Sequence, residues 1–119
     1  MRTVMSPRPI SPQEREVLCR ALEACATADT RPIHRALVET LVVTSTCECG
    51  CDTVEFRNDI GNETTTVVAD GLGETPDGRG LGVIVFGTAH AITCLEVYSF
   101  DDVPAKLPKL NSIRPFVTG

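Results

Sequence analysis

"LVVTSTCECGCDTVEF", residues 41–56, is where the chain stops reading as helix and begins to read as sheet. Val42, Val43, Thr44 and Thr46 are β-branched residues of the kind that fill strands. Cys47, Cys49 and Cys51 then alternate, with Gly50 inside the run. Were 41–56 one straight strand, Leu41, Val43 and the three thiols would share a face while Val54 and Phe56 pointed the other way. The apolar side has to switch, so a bulge or tight turn is expected across residues 48–52, with Gly50 supplying the backbone freedom.

Upstream the spacing is helical. In "SPQE", Ser11 caps a helix, Pro12 suits its first position and Glu14 closes a capping box. Val17, Leu18, Ala21, Leu22 and Cys25 make one apolar stripe, which predicts a helix over 12–27. Asp29 and Thr30 are expected to cap a second helix begun near Pro32, with Ile33, Ala36, Leu37 and Leu41 inward. Downstream, β-branched runs between turn residues predict strands at 41–47, 53–58, 64–69, 81–87 and 91–100. "NDIGNE" reads as a turn, "GLGETPDGRGLG" (71–82) as a Gly-rich connection holding a Pro-Asp-Gly turn, and Thr88 with Ala89 as a hairpin loop. The expected fold is α+β, an N-terminal helix, or two, on one face of a mostly antiparallel sheet of about five strands. Residues 1–10 are read as an extended lead-in and 11–119 as a single domain, with a Pro-rich extended tail from about residue 103.

Both faces of the late strands are apolar. Val83, Val85, Leu95 and Val97 alternate with Ile84, Phe86, Ile92, Tyr98 and Phe100, the pattern of strands covered on two sides. Two helices cover only one. Ile84, Phe86, Tyr98 and Phe100 are therefore the candidate interaction surface, to be covered by the tail, by a second copy of the chain or by another protein.

Composition narrows the function classes. With 119 residues, 42% hydrophobic and 23% charged, the chain has the balance of one globular domain. Eleven basic against sixteen acidic residues give a net charge of -5, which disfavours nucleic acid. Aromatics are 4%, with no Trp, so stacking platforms for bases or sugars are not expected. "MRTVMSPRPISPQE" lacks the apolar core of a secretion signal, and no run approaches the roughly 18 apolar residues of a membrane helix. A cytoplasmic location follows as the expectation, with six reduced cysteines.

Those cysteines carry three readings. Alternate side chains on an extended strand lie about 6.6 Å apart, too wide for tetrahedral zinc with sulfurs about 2.3 Å from the metal. A bend at Gly50 brings Cys47, Cys49 and Cys51 within range of one structural Zn2+, with Cys94 the favoured fourth ligand and Cys19, Cys25, His34 and His90 the others. Alternatively Cys49 and Cys51 form a thiol redox pair, although Glu48 and Asp52 beside them would raise the thiol pKa. The third reading is reduced, structural cysteines without a cofactor. Catalytic residue types are otherwise scarce. His90 and Cys94 would stand roughly 13 Å apart along a strand, too far for a dyad. His34 reads as a surface or capping residue, and the 71–82 glycines precede no helix that would bind phosphate.

The layout "SPQEREVLCRALE…LVVTSTCECGCDTVEF…LEVYSF" resembles a group of small uncharacterised bacterial proteins, often actinobacterial. They share an N-terminal helix, a C-x-C-G-C-x-[ST] segment and a late L-E-V-Y/V-S strand. The matching positions are Cys47, Cys49, Gly50, Cys51, Thr53 and Leu95 to Ser99, within a layout that covers roughly 11–110. Asp52 stands where proline is expected in that group. The resemblance implies no activity, only that the cysteine bend and the late strand belong to one module. The expected function is a non-catalytic binding or interaction module working through a protein partner or self-association. By analogy with toxin-immunity proteins, it would act by covering a partner. A zinc-stabilised domain is the alternative, and a thiol redox protein the second.

Overall fold

The computed structural model describes residues 2–27 and 32–116. Within them seven strands form one sheet: β1 (Arg2–Pro9), β2 (Val42–Cys47), β3 (Val54–Phe56), β4 (Thr66–Glu74), β5 (Gly80–Gly87), β6 (Ile92–Ser99) and β7 (Arg114–Pro115). Their order is β1-β2-β3-β6-β5-β4-β7, and every neighbouring pair is antiparallel. The α+β plan stands, with seven strands in place of about five. The two extra strands come from the lead-in and the tail. Pro7 and Pro9 sit on the edge strand β1, where a missing N–H costs no ladder bond on the open side.

Helix α1 (Pro12–Ala24) starts as its sequence dictates but stops short of the expected residue 27, because Ala26 and Thr27 pair instead with β4 at Ala69 and Val68. The Glu14 N–H donates to Ser11 Oγ at 3.1 Å, and the Ser11 N–H donates to the Glu14 carboxylate at 2.9 Å. Arg8 of β1 donates twice to the same carboxylate, at 2.9 and 2.8 Å, which ties the edge strand to the helix start. Val17, Leu18, Ala21, Leu22 and Cys25 are all buried against the sheet. Helix α2 (Pro32–Leu37), followed by a 3-10 turn at Val38–Thr40, runs in a different phase from the one expected. His34 and Val38, one turn apart, face inward, whereas Ile33 and Ala36 are exposed. His34, expected at the surface, is buried with Nε2 2.6 Å from the Thr88 carbonyl oxygen. The expected caps Asp29 and Thr30 lie outside the described residues.

The sheet departs from the expected register at three places. Strand β4 runs to Glu74, through glycines read as a connection. Gly71 and Gly73 are there because neighbours come close: a β-carbon at Gly71 would stand 2.5 Å from Cys25 Sγ, and one at Gly73 2.9 Å from Pro108. The connection is thus only the tight turn around Pro76 and Asp77, where Gly78, at φ +89°, donates to the Thr75 carbonyl. The β5–β6 loop spans residues 88–91, closed by the Thr88 N–H on the Ala91 carbonyl. A register shift beside it puts Gly87 opposite Ile92 but Phe86 opposite Cys94. Ile92 consequently joins the core, not the Tyr98 side.

The tail settles which face is covered. Ala105, Leu107 and Ile113 are buried in the same cluster as α1, Leu81, Val83 and Val97. The Lys109 N–H bonds the Glu74 carbonyl, the Glu74 N–H bonds Ser112 Oγ, and the Phe116 N–H bonds the Asp70 carbonyl. The tail therefore crosses the helix-bearing face and then pairs along the free edge of β4. The Thr27 N–H, bonded to the Val68 carbonyl, covers the start of that edge. Among the described residues, the tail does not cover the opposite face, one of the three expected coverings.

Candidate metal centre

Strand β2 ends at Cys47 and β3 begins at Val54. Two irregularities switch the apolar side between them. Val43 pairs with Phe56 but Ser45 with Glu55, a register shift inside β2, and Gly50 turns the chain at φ +93°. The expected bend is present, with a strand bulge ahead of it. Ser45 Oγ donates to the Glu55 carboxylate at 2.6 Å, which fixes the shifted register.

β3 is too short to pair with all of β6, meeting it only at Leu95 and Cys94. Beyond that point a side chain replaces the ladder. Buried Thr53 donates through Oγ1 to the Val97 carbonyl at 3.1 Å and accepts the Val97 N–H at 3.0 Å. The tail braces the other side of the bend. The Asp52 N–H donates to the Ala105 carbonyl at 2.9 Å, its carboxylate accepts the Leu107 N–H at 2.8 Å, and Lys106 Nζ donates to the Gly50 carbonyl at 2.7 Å. A β-carbon on Gly50 would touch Pro104 at 3.6 Å.

Held in this way, the sulfurs of Cys47, Cys49 and Cys51 all lie within 4.8 Å of one another. Cys47 Sγ is 2.9 Å from Cys49 Sγ, and the Cys51 N–H donates to Cys49 Sγ at 3.4 Å. Cys49 is exposed, while Cys47 and Cys51 are half-buried and Cys51 packs on the core. The hydrogen bond between Cys47 and Cys49 lowers the Cys47 thiol from its ordinary value. The same bond, with a contact to the Cys51 thiol, pushes Cys49 up to about 11 against the opposing pull of the Cys51 N–H. The rise expected at Cys49 is present, and its leading cause is the neighbouring sulfurs, not the flanking acids.

Cys94, the favoured fourth ligand, is buried outside this group and lines a different cavity with Phe86, Thr44 and Glu55. Cys19, Cys25, His34 and His90 lie outside it as well. The three sulfurs border a cavity of ≈ 340 Å3 whose walls include Thr53, Glu96, Tyr98 and Pro104. Glu96 is the one carboxylate on those walls. It escapes a reading by ligand spacing because it stands 45 positions after Cys51.

Ile84, Phe86, Tyr98 and Phe100 share the sheet face opposite the helices. Ile84 lies opposite Asp70 and Glu96, and Phe86 opposite Val67 and Cys94. Tyr98 lies over Gly82 and meets Phe100 edge to face, with ring centroids 5.8 Å apart. Burial, then the Asp70 and Glu96 carboxylates, raise the Tyr98 hydroxyl from its ordinary value. The first three are half-buried, and Phe100 is 63% exposed. Among the described residues no helix is long and apolar enough to cross a membrane. No protein-family model matches the chain, and comparison with curated proteins and with solved structures likewise gives no match.

Proposed function

We propose that the chain is a metal-binding module in which Cys47, Cys49 and Cys51 hold one Zn2+ as thiolates. One observation carries this reading: three sulfurs within 4.8 Å of one another on a turn that the rest of the fold braces. Zinc with sulfurs about 2.3 Å away spaces them about 3.8 Å apart in a tetrahedron, a distance inside that range. A bound Zn2+ would replace the Cys47–Cys49 hydrogen bond, its charge offsetting the mutual repulsion of the thiolates, and the Cys51 N–H supplies the kind of outer bond that steadies a metal-bound sulfur. With Cys94 elsewhere, the fourth position faces the cavity that Glu96 borders. Titration of the reduced, metal-free chain with Co2+ and then Zn2+ tests this. One equivalent per chain with a sulfur-to-cobalt charge-transfer band is expected, and C49S should weaken binding by more than about 10-fold. A chain that takes up neither ion would sink the proposal.

A second reading is favoured by the path of the tail. Because the tail packs on the helix side, Ile84, Phe86 and Tyr98 keep half-open positions among Glu55, Asp70 and Glu96. Such a face suits a protein contact, in which the module would act by covering a partner or a second copy of itself.

A further inference from the structure

We propose that Cys47 and Cys49 are a reversible dithiol–disulfide pair that reacts with hydroperoxides. Its oxidation would empty the metal centre, a consequence that rests on the zinc reading above. The sulfurs stand 2.9 Å apart, so closing to a bond of about 2.05 Å moves them by less than 1 Å in total. Only Glu48 separates the two residues, and it lies in an exposed turn that ends at Gly50. Cys49 is open to solvent, which gives a small oxidant access. Cys51 is the less suited partner. Its side chain packs on the core, and its own N–H already bonds the Cys49 sulfur.

The chemistry balances with the hydroperoxide as the sole oxidant. One thiol of the pair takes an oxygen atom from the hydroperoxide, becomes a sulfenic acid and leaves an alcohol, or water where the oxidant is hydrogen peroxide. The other thiol attacks that sulfur, the S–O bond breaks, the S–S bond forms and water departs. A dithiol reductant reverses the reaction by exchange, a fate typical of exposed disulfides. Two of the three thiolates disappear on oxidation. Cys51 alone does not hold zinc firmly, because the site has then lost two of its three thiolates.

The test treats the full-length chain, metal-free and zinc-loaded, with one equivalent of hydrogen peroxide. It then alkylates the remaining thiols and digests with trypsin. Residues 36–57 form one tryptic peptide that contains Cys47, Cys49 and Cys51 and no other cysteine. The expected product is that peptide lighter by two hydrogens and alkylated once. C51S should still form the bond, while C47S and C49S should leave a sulfenic acid trappable by dimedone. A chromogenic chelator should record one zinc released per disulfide, and zinc binding by the oxidised chain should fall by more than about 100-fold. A triply alkylated wild-type peptide, or a disulfide in C47S formed as fast as in wild type, would overturn the pair. Zinc held firmly while the peptide stays reduced would sink the pair and leave the metal centre standing. A disulfide formed in a chain that never took up zinc would support the pair and remove the metal reading with its gating.

Discussion

Thr53 does the work of a missing strand residue. Its hydroxyl both donates to and accepts from the backbone of Val97, in a buried place where neither group has water to turn to. Replacing it by valine keeps the shape and strands both partners, so T53V is expected to cost about 2 kcal/mol in chemical denaturation. T53S should retain most of that. Asp52 is the companion case, since its N–H and carboxylate each hold a point on the tail. D52P would remove the donor and the acceptor together. It should weaken cobalt binding by loosening the turn, which the titration of the thiolate band would record. The cysteine convergence was half legible. The parity conflict between Val43 and Phe56 required a bend near Gly50, and the bend brought three thiols together. Cys94 could not be excluded by spacing, because it shares the face of Glu96 and Tyr98, and only the pairing of β3 with β6 places it beside Glu55, further along the strand from the bend. Glu96 escapes such a reading because it stands 45 positions from Cys51.

Local signals were strongest where the chain settles its own hydrogen bonds. The Ser11–Glu14 box was legible because cap, proline and stripe all agree, and the same carboxylate carries the clearest pH dependence. Burial pushes Glu14 up, but the bonds from Arg8 and from the Ser11 N–H outweigh it and leave the pKa lowered. A lowered folded value means stability that is present above the unfolded pKa, about 4.3, and lost as pH falls through the folded one. The gap between wild type and E14Q should therefore be about 1 to 2 kcal/mol near neutrality and close in strong acid, as denaturation curves at each pH would show. Strand β4 was half missed because its glycines look like a loop. They are contacts instead: a β-carbon at Gly71 would meet Cys25 Sγ at 2.5 Å and the Arg114 carbonyl oxygen at 2.7 Å. G71A should accordingly cost about 1 to 3 kcal/mol by overpacking, with thermal melting as the readout. Strand β1 was hidden by prolines that only an edge position tolerates.

At the scale of the whole molecule, the doubly apolar strands predict two faces to cover, but the tail's choice between them lies in long-range contacts. Pro108 against Gly73 and the Asp52 carboxylate under the Leu107 N–H draw it onto the helix side. This makes Ile113 and Ile84 a matched pair of tests. Ile113, 3% exposed, belongs to the core, whereas Ile84 is half-buried on the open face. I113S forfeits a buried aliphatic side chain worth about 1.5 to 3 kcal/mol and places a hydroxyl in its stead. Against a total stability of about 5 to 15 kcal/mol, that is a large loss. I84S should cost less than about 1 kcal/mol in a monomer. Denaturation midpoints of the two variants, at two protein concentrations, separate the possibilities. If I84S is mild at both, the open face is free in the isolated chain and self-association there is excluded. If its cost rises with concentration, wild-type chains are covering one another there, because a dimer's stability grows with concentration while that of a disrupted one does not. A cost equal to that of I113S at every concentration would show the face to be core and remove the protein-contact reading.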